Sequence, residues 1–426
     1  MMRILFCGIN YAPDLIGVPK FNTELCEWLQ SNGHDIHVVT APPYYPEWKT
    51  PEDFKTWAYR SETREGVLVK RAPIYVPRNP SGPKRLIHHA SFALTSAWPV
   101  IFEACRWRPH LLIAVAPSLI SCALVALVAR CAGAKSWLHL QDFEVDAAFN
   151  LGLVSNRLLH KLMLAIERRI LCSFDRVSTI SPQMLRRLQQ KGVDNQHLFE
   201  LRNWVDINQI VPGDRTTNFR RILALSDSDL IALYSGAMSN KQGLDLIIEA
   251  AKELEQSHSH IHFILCGEGP QKLKLEKMAA SLRNVHFIGL QSDARFGQLL
   301  STADFHLLPQ RGEAADLVLP SKLGSMFASG RPVVAMADPG TGIANEVEGA
   351  GLVVRAGDAH AFAEALKTIA KNPDLRLTLG ANARQRAEQE WNKTVILHSL
   401  ECELLTLCGQ NRETAVGQRP QSFSPP

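Results

Sequence analysis

Two strand-then-glycine units, more than two hundred residues apart, constrain this chain more than any other feature. The first is Arg3-Ile-Leu-Phe-Cys-Gly8, followed by a loop ending in Gly17. The second is Leu230-Ile-Ala-Leu-Tyr-Ser-Gly236, followed by a loop carrying Lys241 and Gly243. A short unbroken apolar run reads as a strand buried on both faces, as in a parallel sheet. The glycines let the chain turn without bulk into a helix start. There, backbone N–H groups and the positive dipole end suit a phosphate. Two such halves predict two Rossmann-like α/β domains with a cleft between them, and a nucleotide-linked substrate in that cleft.

The length of 426 residues suits two domains of ordinary size. Strand-like runs recur at 4–7, 36–40, 67–71, 112–115, 136–140, 177–180 and 198–201. They recur again at 231–234, 262–265, 285–288, 305–308, 332–335 and 352–354, with helical patterns between most of them. Alternating strands and helices mean parallel sheets covered on both faces. The polar, aperiodic stretch between Trp204 and Arg221, with Pro212 and Gly213, marks the boundary. The predicted organisation is a first domain over 1–205, a second over 206–390, a crossover helix over 391–410 and a disordered tail over 411–426. The aromatic, proline-rich stretch from Tyr44 to Tyr59 reads as a long loop at the mouth of the cleft, or as a surface excursion packing its own aromatics.

A formal charge of +4 is mild and gives no reason to expect nucleic acid as a partner. Nine scattered cysteines without a C-x-x-C pair fit reduced thiols in a cytoplasmic protein better than a disulfide frame or zinc site. Met1-Met2-Arg3 leads straight into a strand, so no signal peptide is expected. The apolar stretches 86–100 and 111–128 are broken by Pro99 and Pro117 and are too short to span a bilayer.

An ordered set of motifs resembles the family 4 nucleotide-sugar glycosyltransferases of GT-B fold. They are Leu201-Arg-Asn203, Tyr234-Ser-Gly236 with Lys241-Gln-Gly243, Cys266-Gly-Glu-Gly-Pro270, Phe287-Ile-Gly289, Ala303 to Pro309, Phe327-Ala-Ser-Gly330-Arg-Pro-Val333, and Gly340 to Glu346. Gln389-Glu-Trp391 and the helix after it resemble the family's last helix, which crosses back onto the first domain. Gly8-Ile-Asn-Tyr-Ala-Pro13, Thr40 to Pro46, Leu138 to Ala147 and Leu319-Pro-Ser-Lys322 resemble more narrowly the colanic-acid and exopolysaccharide subgroup. One departure stands out. Where many members carry two glutamates eight residues apart, this chain has Leu317 and Ser325, with Glu313 and Asp316 nearby but out of register.

Glycosyl transfer must stabilise a diphosphate leaving group, orient a sugar and place an acceptor hydroxyl. Lys241 and Lys322 are the candidate cations, beside backbone N–H groups at Gly17 and Gly236. A lysine opening a helix after Pro320 opposes the helix dipole unless an anion faces it. Gly267 and Gly269 are placed to let the backbone approach the base or ribose, and Gly340 and Glu346 to meet a sugar hydroxyl. Asp316 and Ser321 complete the local polar set for the donor. Asp142, at the carboxyl end of a strand, is the candidate acceptor-side base, with Glu144 second; helix capping is the alternative for such acids. His139 reads as a satisfied core histidine. The resemblance implies a retaining transfer of a hexosyl group to a saccharide or lipid-linked saccharide acceptor, without a cofactor or metal. It hints at GDP-fucose without fixing the donor. The basic flanks Arg78, Lys84, Arg85, Arg106 and Arg108 around apolar 86–102, and the basic helix from Arg157, suit peripheral contact with an anionic inner leaflet, or else an ordinary buried helix with a solvated flank. Two rival functions share the architecture: a nucleotide-sugar 2-epimerase, and a non-catalytic sugar-nucleotide-binding protein.

Overall fold

The computed structural model describes residues 1–14, 17–146, 157–311 and 319–410. Its first lobe holds β1 (Arg3–Gly8), β2 (Asp35–Thr40), β3 (Arg60–Arg64), β4 (Val67–Arg71), β5 (Leu111–Ala116), β6 (Lys135–Leu140), β7 (Arg176–Thr179) and β8 (Leu198–Glu200). They form one sheet in the order β3-β4-β2-β1-β5-β6-β7-β8. The second lobe holds β9 (Leu230–Ser235), β10 (Ile261–Cys266), β11 (Val285–Ile288), β12 (Phe305–Leu308), β13 (Val333–Met336) and β14 (Gly351–Val354), in the order β11-β10-β9-β12-β13-β14. All pairings are parallel except β3 with β4. The polar Arg60-Ser-Glu-Thr-Arg64 has no apolar run to announce it, which is why periodicity misses this edge strand.

Side-chain alternation builds the cores. Leu5 and Cys7 of β1 enter one cluster and Ile4 and Phe6 the cluster on the opposite face. In β9, Ala232 and Tyr234 face one way and Ile231 and Leu233 the other. Each sheet is therefore buried on both sides, as continuous apolar strands require.

The C-terminal helix Lys393–Leu407 returns to the first lobe. Leu397, Leu400 and Leu404 pack with Met2, Ile4 and Phe6. A buried pair joins His34 Nε2 to Glu401 Oε1 at 2.9 Å, and Lys393 Nζ lies 2.9 Å from Glu24. Two strands of chain cross between the lobes side by side, with Val205 N donating to Trp391 O at 2.8 Å and Lys393 N to Val205 O at 3.0 Å. Trp391 is buried against Gly324, where a Cβ would meet its ring at 2.7 Å.

The order of each sheet reverses direction next to its first strand. β1 lies between β2 and β5, and β9 between β10 and β12. Ligands of open parallel sheets bind beyond the carboxyl ends of the strands at such switch points. Both glycine loops emerge there.

Candidate active site in the interlobe cleft

The lobes meet through loops that leave the carboxyl ends of their strands. Gln183 follows β7, Arg202 follows β8, and Gly342 and Glu346 follow β13. A Cβ on Gly342 would lie 3.3 Å from the Gln183 side chain, and Arg202 Nη1 donates to Glu346 Oε1 at 2.8 Å. The carboxyl ends of the two sheets therefore face each other.

On the second lobe, Lys322 opens the short helix Lys322–Ala328 that follows β12, while Gly236 ends the neighbouring β9 unit. The half-buried Lys322 places Nζ 4.2 Å from the centroid of the Tyr234 ring and 3.2 Å from Gln242 Oε1. A Cβ on Gly236 would come within 3.5 Å of that ammonium. Burial pushes the Lys322 pKa down to about 7, and among the described residues no carboxylate is paired with it. A diphosphate would reverse that shift, since an anion beside an ammonium favours its charged form. Tyr234 and Gln242 are site residues that sequence reasoning passed over. Both lie inside motifs read for their glycines and lysine.

The glycines work differently from expectation. The Gly236 N–H donates to Cys266 O at 2.9 Å and is committed to the fold. Gly236 contributes space beside Lys322 instead. Gly267 and Gly269 have φ of 154° and 155°, and a Cβ on either would sit 1.9 Å from Gly236 O or 2.5 Å from Met238 O. Met238 N donates to Glu268 O and Gln271 N to Met238 O, at 2.9 and 3.0 Å. The loops after β9 and β10 are thus zipped backbone to backbone, and glycine is required by that approach. Lys241 lies in the turn Asn240–Gln242, ahead of Gly243 at φ 63°. Ser321 is exposed at the start of the Lys322 helix. Asp316, with Glu313 and Leu317, lies outside the described residues.

Gly340, at φ 82° with open space around it, precedes Thr341, whose hydroxyl caps the helix Gly342–Val347. Glu346 on that helix is buried. Its Oε1 accepts from Arg202, while Oε2 has no hydrogen-bond partner among the described residues. Burial raises its pKa, the Arg202 charge opposes the rise, and Glu390 adds to it. Arg202 is shared among Glu346, Glu200 and Glu390. Replacing Arg202 with alanine leaves the Glu346 carboxylate buried and uncompensated, and costs about 3 kcal/mol. Chemical denaturation checks this, and Arg202→Ala with Glu346→Gln should recover part of the loss.

On the first lobe, Gly17, at φ 76°, precedes the helix Val18–Ser31, which has no side-chain cap and no acid in its first turn. Among the described residues a Cβ there would meet nothing within 4 Å. Asp142 follows β6 and accepts the N–H of Phe143 at 2.8 Å. Glu144 instead accepts the N–H groups of Ser118 and Leu119, closing the start of the helix Leu119–Ala132. The capping alternative describes its geometry. Glu144→Ala is expected to cost about 1 kcal/mol of stability. Turnover by the folded variant should stay near wild type, and a calorimetric Tm read beside a transfer assay separates the two. His139 is satisfied in the core: Nδ1 meets Ser178 Oγ and Nε2 meets the Gln141 amide, each at 2.9 Å, and burial lowers its pKa to about 4. Gln141 continues this ladder to Asn203 at 3.0 Å, fixing the linker to the first lobe.

The loop 41–59 leaves the carboxyl end of β2 and also packs its own aromatics, with Tyr44 and Trp48 rings 5.5 Å apart. Tyr44 leans on His88 of the helix Gly82–Arg106 at 4.6 Å. The fully buried Arg71 ties the first two loops together, donating to Ala12 O at 2.6 Å and Ala41 O at 2.9 Å.

Comparison with known proteins gives a consistent result. Residues 17–204 match the family model described as a glycosyl transferase 4-like domain, and residues 215–386 match glycosyl transferases group 1. The chain is 42% identical over 345 residues, 79% of its length and 84% of the relative's, to the glycosyl transferase WcaI of Escherichia coli (strain K12), assigned to colanic acid biosynthesis. Among solved structures, sucrose-phosphate synthase from Thermosynechococcus elongatus superposes with a TM-score of 0.73 at 18% identity, covering 96% of this chain and all of that one. Anabaena HepE in complex with UDP gives 0.70 at 16% identity, covering 95% of this chain and all of that one. The lobes, the facing sheet ends and these matches agree: the chain belongs to the GT-B glycosyltransferases, with a 4-like first domain and a group 1 second domain.

Proposed function

We propose that this glycosyltransferase moves a hexosyl group from a nucleotide-diphosphate sugar to a saccharide acceptor, lipid-linked, in bacterial exopolysaccharide assembly of the colanic-acid type, with retention. The Lys322 site carries the reading: an ammonium held uncharged-prone over Tyr234, beside Gly236, at the switch point of the second sheet. An anion belongs there. The relative's assignment to colanic acid biosynthesis supports the process, and the UDP complex of a protein with this fold supports the ligand class. Lys322 and Lys241 would stabilise the departing diphosphate, and Gly340 with Glu346 would face the sugar. The unpartnered Glu346 Oε2 is suited to accept a hydroxyl. Asp142, which follows β6, would act on the acceptor side. Lobe closure would exclude water, whose attack on the donor is the competing reaction.

A thermal-shift screen across UDP-, GDP-, ADP- and dTDP-sugars tests the reading. One nucleotide series should raise Tm with concentration. Product analysis with that donor should then show transfer to a saccharide and loss of transfer in Asp142→Ala. Release of an epimerised free nucleotide sugar without transfer would overturn it.

A further inference from the structure

Two helices of the first lobe expose large apolar side chains while burying an acid. In Gly82–Arg106, Leu86, Ile87, Leu94, Trp98, Ile101 and Phe102 are exposed, with Leu94 at 78% and Trp98 at 67%, while Glu103 is buried. Glu103 bonds His37 Nδ1 at 2.6 Å and also Lys70. In Arg157–Leu171, Leu162 and Ile166 are exposed while Glu167 is buried against Lys191 Nζ at 2.5 Å. Between them lies Leu119–Ala132, packed on both, exposing Ile120 and Leu127. On the other flank Tyr59 donates to Thr95 O, bringing Trp57 and Tyr59 beside the first helix. These exposed apolar side chains lie on adjacent elements of the first lobe, and clustered exposed apolar side chains mark an interaction surface.

On the three helices the exposed charge is of one sign. The exposed charged residues described on the three helices are Lys84, Arg85, Arg106, Arg130, Lys161, Arg168 and Arg169, all cationic. Both acids, Glu103 and Glu167, are withdrawn into the protein. Apolar side chains with tryptophan and tyrosine at the margin, ringed by lysine and arginine, match the interface of an anionic bilayer. A symmetric contact with a second copy would set cation against cation. Among the described residues no helix is long and apolar enough to cross a membrane, so this face would lie on the leaflet.

We propose that the face formed by helices Gly82–Arg106, Leu119–Ala132 and Arg157–Leu171 docks the first lobe on an anionic lipid surface. The proposal rests on the lipid-linked acceptor read above. It adds a route: the N-terminal end of Gly82–Arg106 carries His88 against Tyr44, so the face begins beside the loop at the acceptor side of the cleft. An acceptor anchored in the leaflet would enter there without leaving the membrane.

Flotation of the full chain with vesicles tests this. Wild type should float with phosphatidylcholine vesicles containing phosphatidylglycerol at low salt, and bind phosphatidylcholine alone at least about tenfold less. Leu94→Ser with Trp98→Ser, and separately Lys84→Glu with Arg106→Glu, should each lower binding about tenfold or more. Calorimetric nucleotide binding should stay unchanged in both, so docking and donor binding are read independently. The proposal is overturned if wild type stays unbound on anionic vesicles, or if both variants float as wild type does. It is also overturned if the face proves to bury itself in a dimer that Leu94→Ser with Trp98→Ser dissociates.

Discussion

Replacing Lys322 with methionine should lower the transfer rate by about a hundredfold to a thousandfold, the loss expected when one aimed charge is removed from a developing anion. The same substitution should stabilise the empty protein. The sign follows from the proton count. Lys322 has its pKa pushed down to about 7 in the folded chain, against 10.5 for an ordinary lysine. Between those values the unfolded state holds the proton and the folded state does not, so stability rises with pH. Below pH 7 the cost of burying the ammonium is present in full. Lys322→Met removes that cost, so its Tm should exceed that of wild type at pH 6, and the gap should close toward pH 10. Affinity for a nucleoside diphosphate should run the other way in wild type. It should be greatest below pH 7 and fall with each further unit, because the bound state needs the proton. Lys322→Arg keeps its charge at every working pH and should flatten that dependence. A residue whose removal costs turnover and improves stability is held in place for function.

Gly267→Ala is expected to have the largest effect on folding. The new Cβ would lie 1.9 Å from Gly236 O, in a backbone at φ 154° that side chains rarely adopt. The obstruction is backbone, which cannot swing aside, so the loops after β9 and β10 would have to separate. A loss of about 3 kcal/mol or more follows from the steric and conformational penalties together. Gly340→Ala is the control. It also has positive φ but nothing within 4 Å of its Cβ, and should cost only about 1 kcal/mol. Parallel urea titrations measure both. A small loss for Gly267→Ala would mean that the two loops are not zipped.

The strands were legible because a parallel strand covered on both faces writes itself as an unbroken apolar run, as Leu111–Ala116 and Leu230–Ser235 do. The polar edge strand Arg60–Arg64 leaves no such trace. Lys322 was legible as a cation in the wrong place for a helix dipole. Its companions Tyr234 and Gln242 were not, because their meeting depends on β9 and β12 being neighbours, which is a property of sheet order. Gly236 was read as offering its N–H, which the fold instead gives to Cys266 O. Sequence marks a glycine but does not tell whether it frees an N–H group or clears room for a neighbour. Glu144 shows the same limit: an acid at a strand end can face the cleft or cap the next helix, and here it accepts the Ser118 N–H. The exposed face of Gly82–Arg106 was suggested by its basic flanks, but its extension through Leu119–Ala132 needed the packing of three helices.

A crystal structure with the nucleoside diphosphate identified by thermal shift tests the central claim most directly. The diphosphate should lie within hydrogen-bond distance of Lys322 Nζ, over the end of β9 beside Gly236, with Tyr234 beneath the ammonium. A diphosphate bound away from the β9 and β12 switch point, with Lys322 still packed on Tyr234 and Gln242, would contradict it.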